Sequence, residues 1–197
     1  MKNYVEINLS IFTLVKGEIK TLITYEEDDN LPFLIRDKIN ECTNLDKVIW
    51  KLLKSRANIT NAKIILNKAY SKTNKMDEER LIALSYIVIT PDIFLSLQNE
   101  WISIDSIRDV FAFDYKEILE DSIKRFKEII FERDNIKMLL KGGFTMPELQ
   151  KLYESIEGKK YDRRNFHRKM INEGNVIETG TTRLFEGRKK AKVYQYQ

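Results

Sequence analysis

The sequence predicts an α+β fold, in which a compact α/β body is followed by a small C-terminal unit of two short helices and a β-hairpin. Three observations predict it. Apolar residues alternate between period two and period 3.6 over the first two thirds of the chain, as interleaved strands and helices require. Lys141-Gly142-Gly143 then breaks the pattern ahead of a segment with its own start and stop signals. The charge divides at a similar place: residues 159–197 hold 11 Lys/Arg against 4 Asp/Glu, a balance of +7, whereas the rest of the chain holds 23 against 26, a balance of −3. A basic tail on a mildly acidic body is the asymmetry of a chain that meets nucleic acid through one part only.

Tyr4 to Val15 and Ile19 to Tyr25 read as two strands around the turn Lys16-Gly17-Glu18, followed by the polar loop Glu26–Asn30. Leu45, Val48, Ile49, Leu52 and Leu53 fall at i, i+3, i+4, i+7 and i+8, an amphipathic helix that Asn44 can cap. Ile64 to Leu66 and Ile82 to Ile89 are further strands, separated by a polar stretch from Ser71 to Arg80, and Trp101 to Ile104 suits a short edge strand. From Asp114 to about Phe131 the apolar spacing predicts a long helix. These elements make an α/β domain over residues 1–131, leaving residues 132–197 as a second domain.

Thr145-Met146-Pro147-Glu148 is a helix start: Thr145 can cap, Pro147 lies in the first turn, and Glu148 completes a capping box. Leu149, Leu152, Tyr153 and Ile156 form its apolar stripe, and Gly158 ends it. Asp162 can cap a second helix running to about Glu173, stopped by Gly174. Val176-Ile177 and Lys192-Val193-Tyr194 then flank the basic loop Gly187-Arg188-Lys189-Lys190, completing a helix-turn-helix with a β-wing. At 100° per residue, Phe166 and Met170 share one side of the second helix, with Arg164, Arg168 and Asn172 opposite and Asn165 at the border. Arg can donate two hydrogen bonds to guanine, and Asn can pair bidentately with adenine. The expected DNA-binding residues are therefore Arg163, Arg164, Asn165, His167, Arg168, Lys169 and Asn172. Lys159, Lys160, Arg188, Lys189 and Lys190 are expected to hold phosphates.

Several function classes are excluded or disfavoured. Cys42 is the sole cysteine, so no intrachain disulfide and no cysteine-based metal site can form. There is no P-loop or Gly-rich dinucleotide fingerprint, and His167, the sole histidine, has no nucleophile and acid arranged to serve it. Asp77-Glu78-Glu79 reads as a solvated loop, and Trp50 and Trp101 read as core residues rather than base-stacking platforms. The N-terminus lacks the apolar run of a secretion signal, and the longest apolar stretch, around Leu81 to Thr90, is too short for a bilayer. A soluble cytoplasmic protein with no cofactor, no metal and no membrane partner is expected.

Phe144-Thr145-Met146-Pro147-Glu148-Leu149-Gln150-Lys151-Leu152-Tyr153-Glu154, Asp162-Arg163-Arg164-Asn165-Phe166-His167-Arg168-Lys169 and Ala112-Phe113-Asp114-Tyr115-Lys116-Glu117-Ile118-Leu119 resemble segments of the Nudix-related transcriptional regulators, the NrtR family. The resemblance spans essentially the whole chain and is strongest over 111–197. It implies a Nudix-like α/β/α sandwich with a mixed sheet, then a winged helix-turn-helix. It further implies a homodimeric repressor on a palindromic DNA operator, released by a small-molecule effector such as ADP-ribose or another phosphorylated metabolite. The Nudix box holds Mg²⁺ against a diphosphate through glutamates. Aligned at Asp37 to Ile59, its first Gly and Glu become Asp37 and Thr43. Its Arg and next Glu become Lys51 and Leu52, its closing acids Ser55 and Arg56, and its last Gly Asn58, while the aliphatic Leu53 and Ile59 remain. The resemblance therefore implies a catalytically degenerate sensor and no enzyme. An interaction protein with secondary DNA contact is the other reading.

Overall fold

The computed structural model describes residues 2–26, 29–39, 44–74, 79–94, 98–107, 111, 115–173, 176–185 and 189–196. Residues 27–28, Cys42, Thr43, Asp77, Glu78, Ala112 to Asp114, Gly174, Gly187 and Arg188 lie outside the described residues, as does the side chain of Lys189.

Strands β1 (Lys2–Val15) and β2 (Glu18–Glu26) form the predicted hairpin, closed by Lys16 and Gly17 at φ 53° and 84°. Two consecutive left-handed residues give the turn that matches the right-handed twist of the strands it joins. β1 sends Ile7, Leu9 and Ile11 to one face and Asn8, Ser10 and Phe12 to the other, and all six are buried, so the strand is central. The sheet runs β3 (Asp29–Phe33), β2, β1, β6 (Glu79–Ile89), β5 (Lys63–Asn74), with β1 and β6 parallel and the other neighbours antiparallel. β4 (Ile35–Lys38) pairs with the first half of β1, and β7 (Asn99–Ser103) pairs with β2.

Helix α1 (Leu45–Ala57) covers the Ile7, Leu9 and Ile11 face with Val48, Ile49, Leu52 and Leu53. Asn44 caps it as predicted, accepting from the Asp46 N–H at 2.9 Å. Helix α2 (Tyr115–Ile129) covers the opposite face, where Phe126 stacks on Phe12 with centroids 4.5 Å apart. The body is thus an α/β/α sandwich on a mixed sheet. Trp101 is buried and its indole N–H donates to the Phe94 carbonyl at 2.9 Å, whereas Trp50 is half-exposed on the outer side of α1, a correction to the core reading of that ring.

Three further departures have local causes. The polar stretch Ser71–Arg80 lies largely within the β5–β6 ladder, whose outer residues Ser71, Lys72 and Thr73 face solvent and so carry no alternation. β4 has four residues and only one buried position, too few for a periodic signal. Helix α3 (Arg133–Leu139) has seven residues and no side-chain cap hydrogen bond, so neither periodicity nor punctuation announces it.

The C-terminal unit follows as β8 (Phe144–Thr145), α4 (Met146–Glu157), α5 (Arg163–Asn172), β9 (Val176–Phe185) and β10 (Lys189–Tyr196), with sheet order β8-β10-β9. Both reciprocal bonds of the capping box are present: the Glu148 N–H donates to Thr145 Oγ1, and the Thr145 N–H donates to the Glu148 carboxylate at 2.7 Å. One apolar cluster continues from Phe12 and Ile19 through Phe126, Ile130, Ile136 and Leu139 to Leu149, Phe166 and Tyr194. The C-terminal unit is therefore packed onto the α/β body rather than tethered to it.

Candidate nucleic-acid interface and ligand cleft

Helix α5 is built to present one face. Asp162 caps it, accepting from the Asn165 N–H at 2.9 Å, and its carboxylate complements the positive end of the helix dipole. Phe166 is 2% and Met170 3% exposed, and the Phe166 ring packs edge-on with Tyr153 and tilted against Tyr161, centroids 5.4 and 5.2 Å away. With those two side chains anchored inward, Arg163, Arg164, Asn165, His167, Arg168, Lys169 and Asn172 are all exposed. Arg163 and Arg164 make no ion pair among the described residues, and Arg168 donates to Asn165 Oδ1 at 3.1 Å. His167 stands beside the wing, its Nε2 3.4 Å from the Tyr194 hydroxyl.

The flanking lysines differ from the arginines. Lys159 pairs with Glu157 and lies over the Tyr161 ring, and Lys160 pairs with Glu154 at 3.1 Å, so acids on α4 cancel much of their charge. Glu154, with an 11% exposed side chain, accepts from Gln150 and from the Tyr161 N–H as well as from Lys160. These bonds, led by that from Gln150, lower its pKa to about 2 and keep it ionised. Lys169 sits 3.8 Å from Glu173, while Lys190 in β10 is exposed. Arg183, which the sequence reading passed over, reaches from β9 to Glu148 and to the Gly143 carbonyl, bracing the wing against the start of α4. No spacing rule in the sequence links Arg183 to Glu148, 35 residues before it.

The body holds a separate cleft of about 280 Å³ between the α2 side of the sheet and α2 itself. Glu6, Arg36, Lys38, Tyr70, Lys72, Tyr115 and Glu117 line it above an apolar floor of Leu81, Ala83 and Ile118. The buried Glu6 accepts from Asn8 at 3.1 Å and from Arg36 at 3.3 Å, and the Arg36 guanidinium lies 5.4 and 5.3 Å from the Phe33 and Tyr115 rings. Burial and then a 2.8 Å hydrogen bond to Asp121 raise the Tyr70 pKa, so that phenol stays protonated. Three cations, two acids and two aromatic rings around an apolar floor suit a small anionic molecule with a flat ring. None of these residues was assigned to a ligand site in the sequence, because they come from β1, β4, β5, β6 and α2, far apart along the chain.

On α1, where the Nudix box sets its acids, Lys51, Ser55 and Arg56 are exposed and Leu52 is buried. This donor set does not fit Mg²⁺. The scaffold of the box persists nonetheless: Leu53 and Ile59 are fully buried, and Asn58 takes the left-handed conformation (φ 50°) that the box glycine would supply. Asn is among the side chains that tolerate that region.

Residues 137–196 match the family model of the NrtR DNA-binding winged helix domain. The C-terminal unit is an NrtR-type winged helix. The ADPR responsive transcriptional repressor NtrR of Acinetobacter baylyi is 24% identical over 210 residues, covering 96% of this chain and 80% of the relative. The crystal structure of Shewanella oneidensis NrtR complexed with a 27mer DNA superposes with a TM-score of 0.77 at 19% identity, covering 98% of this chain and 93% of that one. A MutT/nudix family protein from Enterococcus faecalis gives a TM-score of 0.73 at 17% identity, over 100% and 89% of the two chains. The whole architecture, Nudix-like domain followed by winged helix, is thus shared with the NrtR structure. No described helix is long and apolar enough to cross a membrane.

Proposed function

We propose that this chain is a sequence-specific transcription repressor that reads DNA through α5 and the wing, while its Nudix-like domain senses a small phosphorylated metabolite without hydrolysing it. The observation that carries the reading is the outward face of α5 in an NrtR-type winged helix: Arg163, Arg164 and Arg168 stand exposed, with no ion pair to an acid among the described residues, on a helix held from behind by Phe166 and Met170. Such a face suits the major groove. The reader is assigned to residues 132–197 and the sensor to residues 1–131. By its resemblance to the NrtR regulators the chain is assigned as a homodimer on a palindromic operator, whose two half-sites would match a two-fold protein axis.

The Acinetobacter relative is ADPR responsive by name, which makes ADP-ribose the first effector to test here. The cleft favours such a molecule: Arg36, Lys38 and Lys72 suit phosphates, and the aromatic side chains of Tyr70 and Tyr115 line it. The cationic and aliphatic replacements at Lys51, Leu52 and Arg56 argue against Mg²⁺-assisted hydrolysis, because they remove hard oxygen donors and repel a cation. A packed route joins the two functions. Phe131, just beyond α2, stacks on Tyr153 at 4.2 Å, and Tyr153 meets Phe166 of α5 edge-on.

Replacing Arg164 and Arg168 together by Ala tests the reading. Each bidentate arginine contact carries about 1–3 kcal/mol of discrimination, so specific binding should fall at least thirtyfold with the thermal melt unchanged. Unchanged specific binding would instead favour an interaction protein. Incubation with Mg²⁺ and ADP-ribose should release no product, and sustained turnover would refute the sensor assignment.

A further inference from the structure

Among the exposed residues of α5 one does not belong with the polar set. Ile171 is 38% exposed, while the other two large apolar side chains of the helix, Phe166 and Met170, are 2% and 3% exposed. Helical spacing explains where it points. At 100° per residue Ile171 falls about 20° from Arg164 and about 60° from Arg168, on the side that carries the exposed guanidinium groups, and about 100° from Met170. It therefore cannot join the core. It stands as an aliphatic side chain among arginines and asparagines.

We propose that Ile171 is a base-reading residue whose partner is the 5-methyl group of a thymine in the major groove. This inference rests on the reading of α5 as the DNA-reading helix. The chemistry of the face supports it. Arg164 and Arg168 are donors only, suited to the acceptor edge of guanine, and the Asn165 amide is already engaged by Arg168 at 3.1 Å. Neither arginine can single out a thymine by its methyl group, which is the one apolar feature of the major groove and is recognised by apolar contact. Ile171 supplies that missing chemistry on the same face. The half-site is thus expected to hold a thymine next to the base that Arg168 contacts, since those two side chains lie three residues, about 4.5 Å of helix rise, apart, whereas Arg164 lies about two turns back along the helix.

The test uses the full chain and an operator recovered from genomic fragments. Each thymine of a half-site is replaced in turn by deoxyuridine, which lacks only the methyl group, and binding is measured for the native chain and for Ile171→Ala. Ala is a strong helix former, so the variant should keep its fold, which the thermal melt checks. One deoxyuridine position should weaken the native chain about fourfold per half-site and leave Ile171→Ala unaffected. That figure is the ~0.8 kcal/mol of one buried methyl-sized group converted at 1.4 kcal/mol per tenfold. Ile171→Ala should itself bind the unmodified operator about fourfold more weakly or worse. If every deoxyuridine affects the two proteins alike, or none has an effect, Ile171 does not read a thymine methyl, even though the native chain binds specifically. A loss of affinity in Ile171→Ala without coupling to any thymine would point to packing or a protein partner and also overturn the proposal. Failure to recover any operator would sink the proposal together with the DNA-reading function on which it rests.

Discussion

The hairpin tip of the sensor approaches α4 of the reader closely at Gly17, and replacing that residue by Ala should pry the two apart. Gly17 closes the β1–β2 hairpin of the body at φ 84°, and a Cβ added there would lie 2.8 Å from Lys151 Cβ and 2.9 Å from Lys151 Cδ on α4 of the reader. Carbon atoms prefer about 3.5–4.0 Å. The Lys151 Cδ can swing aside, but its Cβ is fixed to the helix, so the hairpin tip or α4 must move by more than half an ångström. The left-handed φ costs an L-residue about 1–2 kcal/mol, and the forced contact adds about 1–3 kcal/mol. Gly180 separates the two effects, because it sits at φ 77° in the wing with nothing within 4 Å of an added Cβ. Gly180→Ala should therefore show the backbone cost alone. The gain from a stiffer unfolded chain is common to both variants and cancels. Chemical denaturation of the two variants against the native chain measures the difference, expected at about 1–3 kcal/mol greater loss for Gly17→Ala. Equal losses would refute the close approach of hairpin and α4, as would full stability in Gly17→Ala.

Other outcomes follow from the same geometry. Thr145→Ala removes the acceptor for the Glu148 N–H and should cost about 1 kcal/mol of stability by thermal melting. Glu154 has a folded pKa of about 2 against an ordinary value of 4.5, so its stabilisation is present above pH 4.5 and is lost as the pH falls toward 2. Melts from pH 5 to 2 should show that loss, and Glu154→Gln should flatten it. In a salt titration of DNA binding, Arg163→Ala should reduce the slope by about one, as expected for one phosphate or base-edge cation. Lys160→Ala should change it less, because Glu154 already offsets that charge.

The elements most legible in the sequence are those with local chemical punctuation. Asn44, the Thr145/Glu148 capping box and Asp162 each announce a helix start by a side chain that satisfies a backbone N–H within three residues. The face of α5 was legible because Phe166 and Met170 are four residues apart, and the wing because its basic loop lies between apolar pairs. What was illegible is assembled over long separations. The cleft brings Glu6 beside Arg36, Tyr70 and Tyr115, and no spacing rule links those positions. The neutralisation of Lys159 and Lys160 depends on α4 acids turning toward the inter-helix loop, and the brace from Arg183 to Glu148 crosses 35 residues. Ile171 was passed over because periodicity sorts residues into core and charged faces and leaves an aliphatic residue on the reading face unassigned.

The measurement that bears most directly on the central claim is selection of fragmented genomic DNA by the purified chain, followed by a salt titration of one recovered fragment. The account predicts enrichment of a palindromic site, bound about 10³-fold or more tightly than random DNA and weakening steeply with salt. It also predicts that a metabolite bound in the Arg36, Tyr70 and Tyr115 cleft, ADP-ribose first among those tried, will weaken that binding. Weak, unselective binding with no enriched site, unchanged across phosphorylated effectors, would contradict the account and leave the basic face of α5 without the role assigned to it.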